Sequence, residues 1–375
     1  MNTMDVKPKK PVITSPVVFF LNVIGEYIDK KLFNLAADKV VLISKGFEIE
    51  ITLFPFLVNK LENLPPKDHY IFIEELVEQV KMSKQAIDKF GFDDQRTGLN
   101  SFRNLLADYL AIKAQPILAT RKHEYGIKCL EQAIKLTPDN KHILIDLGNA
   151  YLINDRFDEA EKVLQRANEL EPDNPSILNN LGNTYLHLKL FDEAEKVLQR
   201  ASELKINDPI ILRNLGSAYL NNNRFDEAEK ILQNANEIKP DNPLILNNLG
   251  CVYLNKKRFN EAGKVLQRAN ELEPDNPSIL NNLGLTYFEI MKFKVAKEIL
   301  EKGCKLDPYS ACIYNNLAIT YFRLQEIIYA QHLIELAHRL ETDNLIILNN
   351  REVILRGKQD ALFPIYSYPS IVTDQ

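Results

Sequence analysis

The chain has 375 residues, 45% hydrophobic and 26% charged, with a formal net charge of −5. These proportions exclude a disordered or fibrous chain and leave room for two or three domains around a sizeable core. Four scattered cysteines without CxxC spacing, and six histidines without HxxxH or HExxH pairing, argue against a disulfide framework and a metal site.

Residues 1–34 read as an N-terminal helical extension. The stretch "KPKKPVITSPVVFFLNVIG" opens like a signal peptide, but Pro16 and Asn22 break its apolar run. No small-x-small cleavage site precedes Glu26 and Asp29, so a buried helix over 17–32 is expected instead. No run reaches the roughly 18 apolar residues of a membrane span, and a cytoplasmic protein is expected.

Residues 35–128 read as a small α/β domain. "DKVVLISKGFEIEITL" alternates apolar and polar residues around Ser44-Lys45-Gly46, which predicts a β-hairpin. "FPFLVNKLENLP" predicts a helix with Phe56, Leu57, Val58 and Leu61 inward, and "YIFIEELVEQV" a short strand running into a second helix. "RTGLNSFRNLLADYL" predicts a third helix, its apolar stripe Leu99, Phe102, Leu106, Tyr109 and Leu110. "PILATRKHEYGIK" then suggests a two-stranded wing.

The order hairpin, three helices and wing resembles the winged-helix domain of OmpR-type transcription regulators, on the matches "GFEIEITL", "FRNLL" and "ATRKHEYGI". That resemblance implies duplex DNA as a partner. Arg96, Asn100, Ser101, Arg103 and Asn104 would lie on the reading helix, with Arg121 and Lys122 on the wing. Two observations stand against it. The segment's basic and acidic residues balance, and "YGIKCLEQAIKLTPDN" fits equally well the second helix of a degenerate helical repeat, with Leu130, Ala133, Leu136 and Pro138 in phase.

From residue 129 the chain repeats itself. Gly148, Gly182, Gly216, Gly250, Gly284 and Ala318 are spaced by 34 residues, as are Tyr151 through Tyr321 and Ala160 through Ala330. Prolines close units at Pro172, Pro240, Pro274 and Pro308. Small residues permit close helix approach, and Tyr and Leu fill the space around them. One such pair cannot bury its apolar faces alone, so neighbours must stack. Over 141–344 this pattern resembles the tetratricopeptide repeat (TPR) family. The resemblance implies a mainly α protein: a right-handed superhelix of about six helix-turn-helix repeats, preceded here by the winged-helix-like domain. "TDNLIILNNREVILRGKQDAL" predicts a capping helix over 345–363, and 364–375 a flexible tail.

Most units carry "NN" before Leu-Gly or its counterpart, with Asp146 at the second place in the first unit. One column is Asn180, Asn214, Asn248, Asn282, Asn316 and Asn350; the other is Asn179, Asn247, Asn281, Asn315 and Asn349, with Arg213 the exception. An amide both donates and accepts, so such a column could grip an extended peptide backbone in the concave groove, the use implied by the resemblance. Equally, the asparagines could tie neighbouring units together. Residues 129–375 carry a net −7, which argues against nucleic-acid binding by the repeats themselves. No nucleotide-loop, metal or nucleophile motif occurs, so neither an enzyme nor a cofactor is expected. The expected function is a protein- or peptide-binding module within a transcriptional regulator, or alternatively a non-enzymatic scaffold that binds no DNA.

Overall fold

The computed structural model describes residues 93–118 and 123–357, with 28, 36–37, 57, 59–61, 63–64, 71–80 and 82. Its contacts divide the chain into two compact units, Met1–Asn154 and Asp155–Gln375. The described residues form a mainly helical, TPR-like solenoid with no strand among them.

In the first unit, Ile28, Leu57 and Leu61 are helical and buried, as the apolar spacing requires. Residues 71–80 are helical throughout, which corrects the strand expected at its start. Helix α1 (Asp93–Leu118) buries Phe102, Leu106, Tyr109 and Leu110 but runs well past Leu110. Helix α2 (His123–Leu136) follows, then α3 (Lys141–Ile153), from which the repeats are numbered along the sequence, so that α13 with α14 is the sixth hairpin.

The wing is therefore corrected, because His123–Lys128 is the first part of α2. The reason is packing. Ile127, Leu130 and Ala133 recur at helical spacing and are buried. Gly126 lets α2 close on α1, since a Cβ there would stand 2.7 Å from Leu118 Cγ and 3.2 Å from the Ala114 carbonyl oxygen. Gly126, Leu130 and Ala133 stand one repeat length before Ala160, Leu164 and Ala167, so α1 and α2 supply the degenerate repeat. The hairpin expected over 38–53 lies outside the described residues, as does the tail at 364–375.

The second unit begins with α4 (Phe157–Leu170), the second helix of its repeat. Five complete hairpins follow: α5 (Pro175–His187) with α6 (Phe191–Leu204), α7 (Pro209–Asn221) with α8 (Phe225–Ile238), α9 (Pro243–Asn255) with α10 (Phe259–Leu272), α11 (Pro277–Glu289) with α12 (Phe293–Leu306), and α13 (Ala311–Arg323) with α14 (Ile327–Leu340). Helix α15 (Leu345–Arg356) is the last helix among the described residues.

Local chemistry sets these bounds. Asn174, Asp208, Asn242 and Asn276 each accept from the two N–H groups next but one and three residues on, and a proline fills the following position. At the other end Lys189, Asn223, Lys257, Met291 and Gln325 take left-handed φ of 59°, 59°, 57°, 61° and 64°. The next residue's N–H then returns to the tyrosine carbonyl five back, as in Arg224 N to Tyr219 O at 2.8 Å. Within a hairpin the Leu-Gly glycine is obligatory. A Cβ on Gly182, Gly216, Gly250 or Gly284 would lie 2.3, 2.5, 2.4 or 2.6 Å from Cγ of Leu198, Leu232, Leu266 or Leu300. The sixth hairpin carries Ala318 and Ile334 at these two places, both buried.

Candidate functional site

The paired asparagines of the first helices are mostly inside the protein. Asn214, Asn247, Asn248, Asn281, Asn282, Asn315, Asn316 and Asn350 are buried, Asn179 and Asn180 are half-buried, and Asn349 is exposed.

Their side chains pair between repeats, with four second-column Nδ2 groups donating to the first-column Oδ1 of the preceding unit. Asn214 donates to Asn179 at 2.9 Å, Asn282 to Asn247 at 2.9 Å, Asn316 to Asn281 at 2.8 Å and Asn350 to Asn315 at 2.9 Å. Within units the first asparagine donates to the second, Asn281 to Asn282 at 3.2 Å and Asn315 to Asn316 at 3.0 Å. Arg213 takes that role toward Asn214 Oδ1 at 2.9 Å. Since Arg213 offers no acceptor, Asn248 donates to Ser217 Oγ instead, at 2.8 Å.

The result is a ladder in which the bonds between repeats donate toward the N-terminal side and those within a repeat donate from the first residue of the pair to the second. Its sequence signal is a 35-residue separation between partners, one more than the repeat, which adjacent asparagines supply automatically.

Helix α5 carries the half-buried pair of this face. Asn179 and Asn180 are half-buried there, and Asn183, 5% exposed, holds its Oδ1 without a partner. One turn on, His187 stacks on Phe157 with ring centroids 4.3 Å apart, and its Nε2 is buried and unpartnered. Burial lowers the His187 pKa below its ordinary value, against the opposing charge of Asp155. The equivalent Asn221 and Asn255 are half-buried and turn back, each donating to a backbone carbonyl four residues earlier at 2.8 Å.

The residues proposed for DNA are not assembled as a winged helix would assemble them. Arg96, Asn100, Ser101, Arg103 and Asn104 do share α1. Asn104 is exposed, but Asn100 and Arg103 are half-buried and Arg103 Nε has no partner. Arg121 and Lys122 lie outside the described residues, between α1 and α2.

Catalytic chemistry finds little foothold. Among the described residues no group of three or more His, Cys, Asp or Glu could hold a metal, and no helix is long and apolar enough to cross a membrane. Burial pushes the Cys129 thiol up to about 11 and the Cys304 thiol up to about 12, and raises Cys312 as well. None of these three is ionised at neutral pH, as a nucleophile would need to be.

Comparison with known proteins agrees with this architecture. Residues 106–276 match the family model of the cilia and flagella-associated protein 70 C-terminal domain, and residues 277–310 match the tetratricopeptide repeat. A tetratricopeptide repeat protein from Parabacteroides merdae is 15% identical, with a TM-score of 0.55 over 66% of this chain and 98% of that one. The APC/C hetero-tetramer Cut9-Hcn1 is 14% identical, with a TM-score of 0.55 over 90% of this chain and 76% of that one. Comparison with curated protein sequences gives no match. The fold of the described residues is thus a TPR-like helical solenoid, with a tetratricopeptide repeat matched over 277–310. The first family match begins inside α1, where the degenerate repeat begins.

Proposed function

We propose that the chain is a non-enzymatic protein-interaction scaffold that receives an extended segment of a partner along the first helices of its repeats. What supports this reading is one side-chain chemistry, the amide, repeated every 34 residues on one helix face. Asn179, Asn180, Asn183 and His187 on α5 make the contact, with Asn221 and Asn255 further along. Asn214, Asn247, Asn248, Asn281, Asn282, Asn315, Asn316 and Asn350 act one layer deeper and hold the face in register. A segment bound in this way is recognised through its backbone, which takes donors and acceptors from amides without a demand on sequence.

Selection from a displayed peptide library on the immobilised full chain tests the proposal. Selected peptides should lose at least about tenfold in affinity for a chain carrying Asn179→Ala, Asn180→Ala and Asn183→Ala, close to 1.4 kcal/mol. Peptides that bind this triple variant as tightly as the parent would place the site elsewhere. A library yielding no binder would count against a peptide scaffold altogether.

A further inference from the structure

The second helices of the unit begin alike, until they do not. Phe157-Asp158-Glu159, Phe191-Asp192-Glu193, Phe225-Asp226-Glu227 and Phe259-Asn260-Glu261 open α4, α6, α8 and α10. Carboxylates there complement the positive end of the helix dipole. In α12 the same places hold Phe293-Lys294-Val295, and in α14 Ile327-Ile328-Tyr329. The last two hairpins have lost the favourable carboxylates, one to Lys294 and the others to the apolar Val295, Ile328 and Tyr329, and those apolar side chains are not buried in return. Ile328 is 82% exposed, Tyr329 62% and Val295 39%.

A fourth residue joins them. Met291 precedes α12 at the left-handed turn position, with φ 61°, where the other hairpins place Lys189, Asn223, Lys257 and Gln325. It is 78% exposed. A cation and an aromatic pair connect the two hairpins beneath this surface: Lys297 Nζ lies 4.5 Å from the Tyr321 ring centroid, and the Tyr321 and Tyr329 rings are 5.4 Å apart. Among the described residues nothing covers these four apolar side chains, and an exposed apolar patch of this kind marks an interaction surface.

The charges around the patch indicate what covers it. Elsewhere this face reads acidic first and basic one turn later, as in Asp192 with Lys196 and Asp226 with Lys230; in α12 the order is reversed, Lys294 then Glu298. Both signs thus flank Val295 on one helix face, and the reversed order is the weaker one for pairing within a helix. A two-fold interface requires a surface that carries both halves of each contact. We infer that this edge of the fifth and sixth hairpins is a self-association surface. Two copies pair antiparallel, Met291, Val295, Ile328 and Tyr329 form the centre, and Lys294 of each copy meets Glu298 of the other. The inference is independent of the peptide-binding reading, which uses the first helices.

Light scattering of the full chain across a concentration series decides it. The parent should pass from monomer to dimer with rising concentration. Val295→Glu with Tyr329→Glu, which restores the residue of the other hairpins, should be monomeric throughout with unchanged helicity. Lys294→Glu should weaken the dimer at least about tenfold, and Lys294→Glu with Glu298→Lys should recover it. Should the first variant lose helicity, the charge reversal and its rescue carry the test alone. A parent that stays monomeric hands the patch to a different occupant and overturns the inference. So does a reversal with no effect, or one that the second substitution fails to rescue.

Discussion

A buried amide is tolerated only when its donor and its acceptor are both satisfied, and Asn282 meets that condition through its neighbours. It accepts from Asn281, donates to Asn247, and lies 3.1 Å from Cys251 Sγ. Asn282→Ala takes an acceptor from Asn281 and a donor from Asn247 at a place without solvent. A loss of about 2–4 kcal/mol is expected in chemical denaturation, from penalties of about 1–3 kcal/mol per affected group. Asn349→Ala, at the exposed end of the same motif, should change stability by less than about 0.5 kcal/mol. Equal losses would mean that the ladder contributes nothing beyond helix propensity. Asn349 shares its column with Asn281, two repeats earlier, and the sequence does not tell those two apart. Asn281 is buried and receives the Nδ2 of Asn316 from the next first helix, whereas no first helix follows α15 among the described residues, so burial depends on a neighbour that the motif itself does not report.

Helix bounds were more legible than helix neighbours. Asx-Pro is a local signal with a local cause, and it stands at the start of four first helices, at Asn174, Asp208, Asn242 and Asn276. The turn after each first helix was not legible as such, since Lys189, Lys257 and Met291 adopt a left-handed φ that favours Gly or Asn. At α2 two readings competed over His123–Lys128, and the helical period won because it continues unbroken to Leu136. Between successive second helices and turns an ion pair recurs: Glu195 with Arg224, Glu229 with Arg258 at 2.6 Å, and, with the signs exchanged, Lys297 with Glu326 at 2.9 Å. Gly263 interrupts the series in α10, opposite Lys292. A Cβ at Gly263 would meet only Thr286 Cγ2, at 3.7 Å, so the place has room. Gly263→Ala should therefore stabilise by about 1 kcal/mol, the interior helix cost of glycine. Gly263→Glu restores the pair as well, but an exposed pair adds only about 0.2–1 kcal/mol and fades in salt. Thermal melting at low and high salt separates the two terms. A Gly263→Ala variant no more stable than the parent would show that α10 needs its glycine.

Repeat proteins hold together through neighbours, so the ends decide how far a disturbance travels. In the second unit the C-terminal end is α15, which buries Ile347 and Ile354, donates from Asn350 to Asn315 at 2.9 Å, and pairs Arg351 with Glu335 at 2.8 Å. Glu352 stands where Gly284 and Ala318 stand in the two repeats before, a place that holds a small residue wherever a second helix packs against it. Gly357, with φ 67°, then closes α15 by returning its N–H to the Ile354 carbonyl. A chain ending at Thr342 loses all of these contacts at once, and its sixth hairpin becomes an uncapped surface. Hydrogen exchange should then show protection lost across Ala311–Leu340, a smaller loss across Pro277–Leu306, and none across Pro175–Ile238. The gradient is the expectation, because each hairpin feels the missing helix only through the one between. Unchanged protection across Ala311–Leu340 would show that α15 is dispensable. An equal loss in every hairpin would show instead that the asparagine ladder couples the whole stack into one cooperative block, with nearest-neighbour contacts secondary to it.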